Sequence, residues 1–392
     1  MSQEPLFIDV HHHSCKKWNQ NVAGDAFVSK RFHNEGRLIA VLSDGLGSGV
    51  KANILASMTA NMALRFVAAG TDILRFCEVM MESLPVCQVR KISYATFSIV
   101  DCDQEGLTRI VEEGNPEFIL LRGAQPEEAP CRVLTSKRFP NRHMRIAETS
   151  MNAGDRLIVC SDGVTQAGLG TLSYKLGWRR DGLSDFAVEK IRDNPTISSR
   201  ELSEAIVEES MSLEPGGKPY DDTSCLVMYF RHPRRLMVLS GPPYDEERDA
   251  ECAATLDAFP GRKAICGGST ANLIAREWGC RIDTELPKRG SKLPPCSIID
   301  GVELVTEGVL TLTQVARRLE DGDIAPSDDP AGRLIDLLLD SDAIEFLVGT
   351  RINEAHQDPN LPVDLEIRRN IIKRIANALS DKFLKTTSIR FI

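Results

Sequence analysis

Two apolar runs of this chain end in the same three residues. Leu38-Ile-Ala-Val-Leu42 leads into Ser43-Asp44-Gly45, and Leu157-Ile-Val-Cys160 leads into Ser161-Asp162-Gly163. A short branched apolar run bounded by turn residues reads as a buried strand, so each aspartate falls where a strand leaves the core. A carboxylate at a strand tip is held rigidly and faces outward, which suits a hard cation better than packing. Asp-Gly alone is a common turn. Its repetition after two such strands points to a site instead.

Two further acidic points fit the same plan. Leu6 to about Cys15 reads as a strand, followed by the polar loop Trp18 to Gly24 and then Asp25, which opens a strand Ala26 to Phe32. That strand is expected to pair with the one ending at Asp44. Later, Pro215 to Tyr220 reads as a loop that runs into Asp221-Asp222-Thr223 and a strand to Phe230. Between these lie a helix from Lys51 to Ala69, closed by Gly70, and a second from Asp72 to about Leu84. Strands follow at Ile92 to Val100, Leu107 to Glu112, Glu117 to Leu121 and Arg156 to Cys160, with a helix near Ser198 to Met211. A large antiparallel β core with helices set apart follows from this order. The triplet His11-His12-His13 lies within the first strand, where neighbours point to opposite faces, so it reads as an edge strand and not as a metal site.

With 392 residues the chain is long enough for two domains. Its formal charge of −9 disfavours nucleic acid and anionic membranes as partners. The start Met-Ser-Gln-Glu-Pro lacks a signal-peptide plan and no run is long and apolar enough to span a bilayer, so the expectation is a cytoplasmic protein. Its eleven cysteines are scattered and never form Cys-x-x-Cys, which implies reduced thiols.

The ordered set Gly24-Asp25-Ala-Phe, Ser43-Asp44-Gly45-Leu-Gly47-Ser48-Gly49, Glu113-Gly114-Asn115-Pro116, Ala153 to Val164 and Asp221-Asp222-Thr223-Ser224 resembles the metal-dependent serine/threonine phosphatases of the protein phosphatase 2C superfamily, in the bacterial branch typified by stage II sporulation protein E. The resemblance covers about residues 5 to 231. It implies a four-layer α-β-β-α sandwich, two packed antiparallel sheets flanked by helices, with two Mn²⁺ or Mg²⁺ ions at one edge. It also implies roles: Asp44 bridging both ions, the Gly45 carbonyl on one of them, Asp25 on the second, Asp162 and Asp221 completing the first, and Asp222 in support. An all-oxygen ligand set selects hard divalent ions on its own chemistry, and no Cys/His constellation calls for zinc.

Two positions depart from the family pattern. Gln20 stands where many members of other branches have a phosphate-holding arginine, with Lys16 and Lys17 either reaching over instead or serving only as solubilising surface lysines, and Gln166 stands where this branch often has glutamate. In this branch the two helices after Asp-Gly resemble a switch set by a docking partner. That places regulation at Gly47, Ser48 and Gly49 and along Val50 to Leu84. The implied activity is hydrolysis of phosphoserine or phosphothreonine in a protein substrate, in bacterial signalling. The alternative is a catalytically silent module that kept the fold.

After Arg231 the pattern changes to alternating strands and helices, which implies a second domain, 236–392, built as an α/β fold on a mostly parallel sheet. In such sheets ligands bind beyond the carboxyl ends of the strands. Gly267-Gly268-Ser269-Thr270, at a helix start there, offers N–H groups and hydroxyls to a small anion, against an ordinary capped turn. A ligand-sensing or regulatory role over the first domain is expected, with an independent enzyme as the other reading. The last long helix carries Leu365, Ile372, Ala376, Leu379 and Phe383 on one stripe, for core packing or for a homodimer contact.

Overall fold

In strand β3 (Arg37–Gly45) every residue from Leu38 to Ser43 is buried, so the strand is covered on both faces. Ile39 and Val41 pack against Ala60 and Ala63 of helix α1 (Val50–Ala68) and Phe76 and Met80 of α2 (Ile73–Ser83), while Leu38, Ala40 and Leu42 turn to the opposite, equally buried face. The computed structural model describes residues 5–71, 73–83, 95–136, 139–286, 293–351 and 361–392. Asp72, Leu84 and the first residues of the strand read from Ile92 lie outside them. The chain divides into two compact units, Met1–His232 and Pro233–Ile392.

In the first unit β3 belongs to a six-stranded antiparallel sheet of order β2-β3-β4-β5-β9-β8. Its other members are β2 (Ala26–Phe32), β4 (Ala95–Asp103), β5 (Leu107–Glu113), β8 (Cys131–Ser136) and β9 (Phe139–Ser150). The second sheet, also antiparallel, has order β1-β11-β10-β6-β7, from β1 (Phe7–Cys15), β6 (Ile119–Arg122), β7 (Gln125–Glu127), β10 (Arg156–Cys160) and β11 (Thr223–Arg231). Its outer face, with Ile158, Cys160, Cys225 and Val227, is covered by α3 (Asp162–Thr165), α4 (Arg179–Asp193) and α5 (Ser199–Leu213). Helix α5 starts at a capping box in which Ser198 and Glu201 satisfy each other's backbone N–H. The alternate residues Leu226, Met228 and Phe230 are buried on the opposite face.

Direct contacts bring the two sheets together. Arg31 Nη2 of β2 donates to the Ile8 carbonyl of β1 at 2.6 Å. His12 stacks on Phe27 with ring centroids 4.7 Å apart. The triplet is therefore on an edge strand, as its alternation requires, yet its middle member faces inward, and His12 Nε2 is buried without a hydrogen-bond partner. Burial, then the neighbouring His11 and His13, lowers the His12 pKa from 6.5 to about 4. Between these values the unfolded chain binds more protons than the folded one, so stability present above pH 6.5 is lost as the pH falls towards 4, by up to about 3 kcal/mol. His12→Phe keeps the stacking and removes the titration. Its urea midpoint is expected to fall less than the parent's between pH 7 and pH 4.5, and equal falls would contradict this account.

The second unit is a seven-stranded sheet of order β14-β15-β16-β13-β12-β17-β18. Five strands run parallel: β12 (Arg235–Ser240), β13 (Arg262–Cys266), β16 (Val302–Thr306), β17 (Ala343–Val348) and β18 (Thr386–Phe391). Two short antiparallel strands, β14 (Asp283–Thr284) and β15 (Ser297–Ile299), complete one edge. Met237 and Leu239 of β12 pack with α6 (Asp249–Asp257) and α7 (Gly268–Trp278). Leu236 and Val238 pack with α8 (Val309–Asp321), α9 (Pro330–Leu339) and α10 (Leu361–Phe383), and Ile372, Ala376 and Leu379 of α10 serve this core. Helices on both faces explain why these strands read as unbroken apolar runs. The side of attachment changes between β12 and β17, where the Gly349 N–H donates to the Ser240 carbonyl at 2.9 Å.

Sequence pattern passes over the β8–β9 hairpin and α4. Arg132, Arg145 and Glu148 interrupt the apolar signal of the hairpin, and α4 buries only a narrow stripe from Leu183 to Ile191. Among the described residues no helix is long and apolar enough to cross a membrane.

Candidate metal centre

Strand pairing brings the acidic tips together. The register Ala26↔Ser43 between β2 and β3 sets Asp25 opposite Asp44. Cys160 pairs with Cys225, and the Ser161 N–H donates to the Ser224 carbonyl at 3.0 Å, which sets Asp162 beside the start of β11 and its preceding Asp221-Asp222. The glycines in these motifs serve close approach. A Cβ on Gly45 would stand 2.2 Å from the Ala52 carbonyl oxygen, one on Gly163 2.2 Å from that of Asp222, and one on Gly24 2.8 Å from Asp222 Oδ2. Gly47 and Gly49 adopt φ of +101° and +75°, conformations that favour glycine, and Gly49 precedes the first turn of α1.

Asp25 is buried, and neither of its carboxylate oxygens has a hydrogen-bond partner. Its carboxyl is held above the usual range by burial first and then by the nearby charge of Asp222. Asp44 is raised further, by burial first and then by repulsion from Asp25, Asp162 and Asp221. Burial also raises Asp162 and Asp221, and the charge of Lys17 offsets part of the effect at Asp221. Buried carboxylates that repel one another, with Asp25 lacking any donor, favour a bound cation. Among the described residues, however, no three His, Cys, Asp or Glu side chains converge closely enough to hold a metal ion. The donor chemistry, four carboxylates at strand tips, nonetheless fits a hard cation.

Asp222 differs from its neighbours. Its carboxylate accepts the Lys17 N–H at 2.9 Å and the Gly24 N–H at 2.8 Å, so its oxygens are engaged in tying both ends of the β1–β2 loop to the start of β11. Sequence reading singled out Asn115 within its motif without giving it a role, and passed over Thr96. Asn115 Nδ2 donates to Ser98 Oγ at 3.1 Å and to the Leu42 carbonyl at 3.5 Å, Thr96 Oγ1 donates to Asn115 Oδ1, and Ser43 Oγ donates to the Thr96 carbonyl at 2.7 Å. These bonds fix the end of β3 that carries Asp44. Gly114-Asn115-Pro116 carried a signal for this, since a polar residue between turn formers is a common anchor.

The two departures have clear places. Gln166 Nε2 donates to Asp162 Oδ2 at 2.9 Å, and Gln20 Oε1 lies against Gly49. Lys17 is half-buried and Lys16 exposed. In the second unit, Gly268 and Ser269 are exposed, while Thr270 is buried and its Oγ1 accepts the Gly241 N–H at 2.9 Å.

The profile of the stage II sporulation protein E (SpoIIE) family matches residues 34–231, half of the chain. The chain belongs to that family. It is 22% identical over 213 residues to stage II sporulation protein E of Bacillus subtilis (strain 168), a match covering 54% of this chain and 24% of that protein. The match thus spans about a quarter of the relative's length. Among solved structures, the PP2C phosphatase domain of SpoIIE with a fragment of its regulatory domain, from Bacillus subtilis, is 19% identical, covering 59% of this chain and 65% of that one at a TM-score of 0.48. RsbX in complex with magnesium is 17% identical, covering 59% and 97% at a TM-score of 0.41. The matched family segment lies within the first unit and includes Asp44, Asp162 and Asp221, while Asp25 precedes it.

Proposed function

We propose that this SpoIIE-family chain is a metal-dependent phosphoprotein phosphatase, acting on phosphoserine or phosphothreonine in bacterial signalling. The observation that carries the reading is the buried Asp25, with both carboxylate oxygens unpartnered, facing Asp44 across paired strand tips with Asp162 and Asp221 alongside. In this reading the two sheets and their helices form a four-layer α-β-β-α sandwich, and the carboxylates occupy one of its edges.

Asp44 would lie between two divalent ions, with the Gly45 carbonyl beside it, Asp25 on one ion and Asp162 and Asp221 on the other. Two Mn²⁺ or Mg²⁺ ions, when bound, supply an acidified water and neutralise phosphoryl charge. The chain's own part is to hold oxygen ligands in place. Ser43, Thr96 and Asn115 fix the Asp44 strand end, and Asp222 fixes the Asp25 loop by accepting two N–H groups. Lys17 adds positive charge at Asp221 for an incoming phosphate. Gly47 to Gly49 give α1 a start without a side-chain cap, and we assign the regulatory switch there. The second unit would sense a small anion beyond its strand ends, with Gly268 and Ser269 as the exposed part of the Gly267 to Thr270 loop.

The other reading is a silent module that kept the fold. Chelator-treated protein titrated with Mn²⁺ separates the two. The phosphatase reading expects a rise in thermal midpoint that saturates with Mn²⁺, roughly 3 kcal/mol of stabilisation at a hundredfold excess over Kd, together with phosphate release from a phosphoserine peptide. A saturating midpoint shift without turnover would support the silent module, and no shift would remove the metal centre altogether.

A further inference from the structure

Among the described residues, most of the large apolar side chains that the first unit leaves exposed, Met58, Leu107 and Val133 apart, lie in or beside the loops that carry its carboxylates. Trp18 (50% exposed) and Val22 precede Asp25, Val50 and Ile54 (52%) follow Asp44, Leu172 (95%) follows Asp162, and Tyr220 (72%) precedes Asp221. Backbone and side-chain contacts join these loops into one rim. The Trp18 N–H donates to the Pro219 carbonyl at 3.0 Å and Lys218 Nζ lies 4.7 Å from the Trp18 ring centroid. Asn53 Nδ2 donates to the Ala23 carbonyl at 2.9 Å, fastening the Asp25 loop to the first turn of α1. On the remaining side the Gly168 N–H donates to Glu214 Oε1 at 3.4 Å, next to the 215–220 loop.

The rim has a second property. Segments 16–24, 46–54, 163–178 and 215–220 contain no Asp or Glu, in a chain with 56 of them, and they contain Lys16, Lys17, Lys51, Lys175 and Lys218. An acidic centre is thus surrounded by a border that is apolar and basic. Apolar side chains left in water around a site mark a binding surface.

We propose that this rim docks a phosphorylated polypeptide segment whose side chains next to the phosphorylated residue are apolar. The charge pattern selects this occupant. The lysines complement the phosphate dianion, the four segments carry no carboxylate of their own while Glu214 between them is buried, and Trp18, Ile54, Leu172 and Tyr220 give apolar neighbours a place out of water. The inference rests on the phosphatase reading for the role of the centre, and the experiment keeps the two apart.

Two phosphoserine peptides of equal length, one flanked by Leu and Val and one by Glu, are compared with p-nitrophenyl phosphate as substrates of the full chain in Mn²⁺. Expected is at least a tenfold higher kcat/KM for the apolar peptide. In the double variant Trp18→Ser, Leu172→Ser the value for that peptide falls at least tenfold through KM, with p-nitrophenyl phosphate turnover unchanged within twofold. If nothing is turned over, the phosphatase reading fails. Docking is then read from fluorescence anisotropy of the same peptides carrying a phosphonate, where the same tenfold differences are expected. Equal handling of the two peptides, preference for the Glu-flanked one, or an equal loss on the small substrate would overturn the proposal. So would sedimentation showing that the double variant breaks a dimer without changing peptide selectivity, which would make a second copy the occupant.

Discussion

Asp44→Asn is expected to lower Mn²⁺-dependent phosphate release from a phosphoserine peptide by roughly 10³-fold, the scale of losing a principal charge-stabilising group in a water-poor site. The substitution is nearly isosteric, so the Ser43, Thr96 and Asn115 bonds that hold the strand end persist. The loss should therefore appear without unfolding. Repulsion among Asp25, Asp44, Asp162 and Asp221 is relieved when one charge is removed, so chelator-treated Asp44→Asn should be at least as stable as the parent, by on the order of 1 kcal/mol. Mn²⁺ should no longer raise its midpoint. Activity within tenfold of the parent would remove Asp44 from the centre, and a destabilised variant would mean that its carboxylate has a structural partner.

Arg156→Met is expected to give the largest stability loss in the first unit, on the order of 3–5 kcal/mol for removing a buried charge from its partners. Arg156 is 1% exposed at the start of β10. Its Nη2 donates to the Pro195 and Ile197 carbonyls, both at 2.9 Å, and its guanidinium stacks 3.7 Å from the Tyr229 ring centroid. Methionine fills much of the volume but leaves those two carbonyls without a donor, in the turn that joins α4 to α5. Arg156→Lys should recover part of the loss, because an ammonium can serve one carbonyl but cannot reproduce the planar fork. Chemical denaturation reads both variants, and a Met variant within about 1 kcal/mol of the parent would show that the turn finds other donors.

The strand tips of the candidate centre were legible because each combines a buried run with an acidic turn, two signals that agree. Sheet order was not legible, since pairing β1 with β11 joins residues more than two hundred positions apart and no local pattern encodes that. The Asp-Gly repeats could be seen but not explained from sequence. Their glycines answer to the Ala52 and Asp222 carbonyls, groups that approach only once the chain has folded. Asp221 and Asp222 look alike in sequence. What distinguishes them is that Asp222 accepts the Lys17 and Gly24 N–H groups, a matter of what lies opposite. His12 shows the same limit, because alternation orients its side chain but cannot supply Phe27 as its neighbour.

The engagement of Asp222 with Lys17 and Gly24 has a consequence for biosynthesis. The loop that presents Asp25 is fastened by one of the last residues of its unit, so a nascent chain that has not yet emerged through Asp222 holds its early carboxylates without their fastening. The centre is complete only when β11 is paired with β1 and Asp222 has met the Lys17 and Gly24 N–H groups. Ribosome-bound fragments that stop before this point would be inert towards phosphoproteins, whatever cation surrounds them.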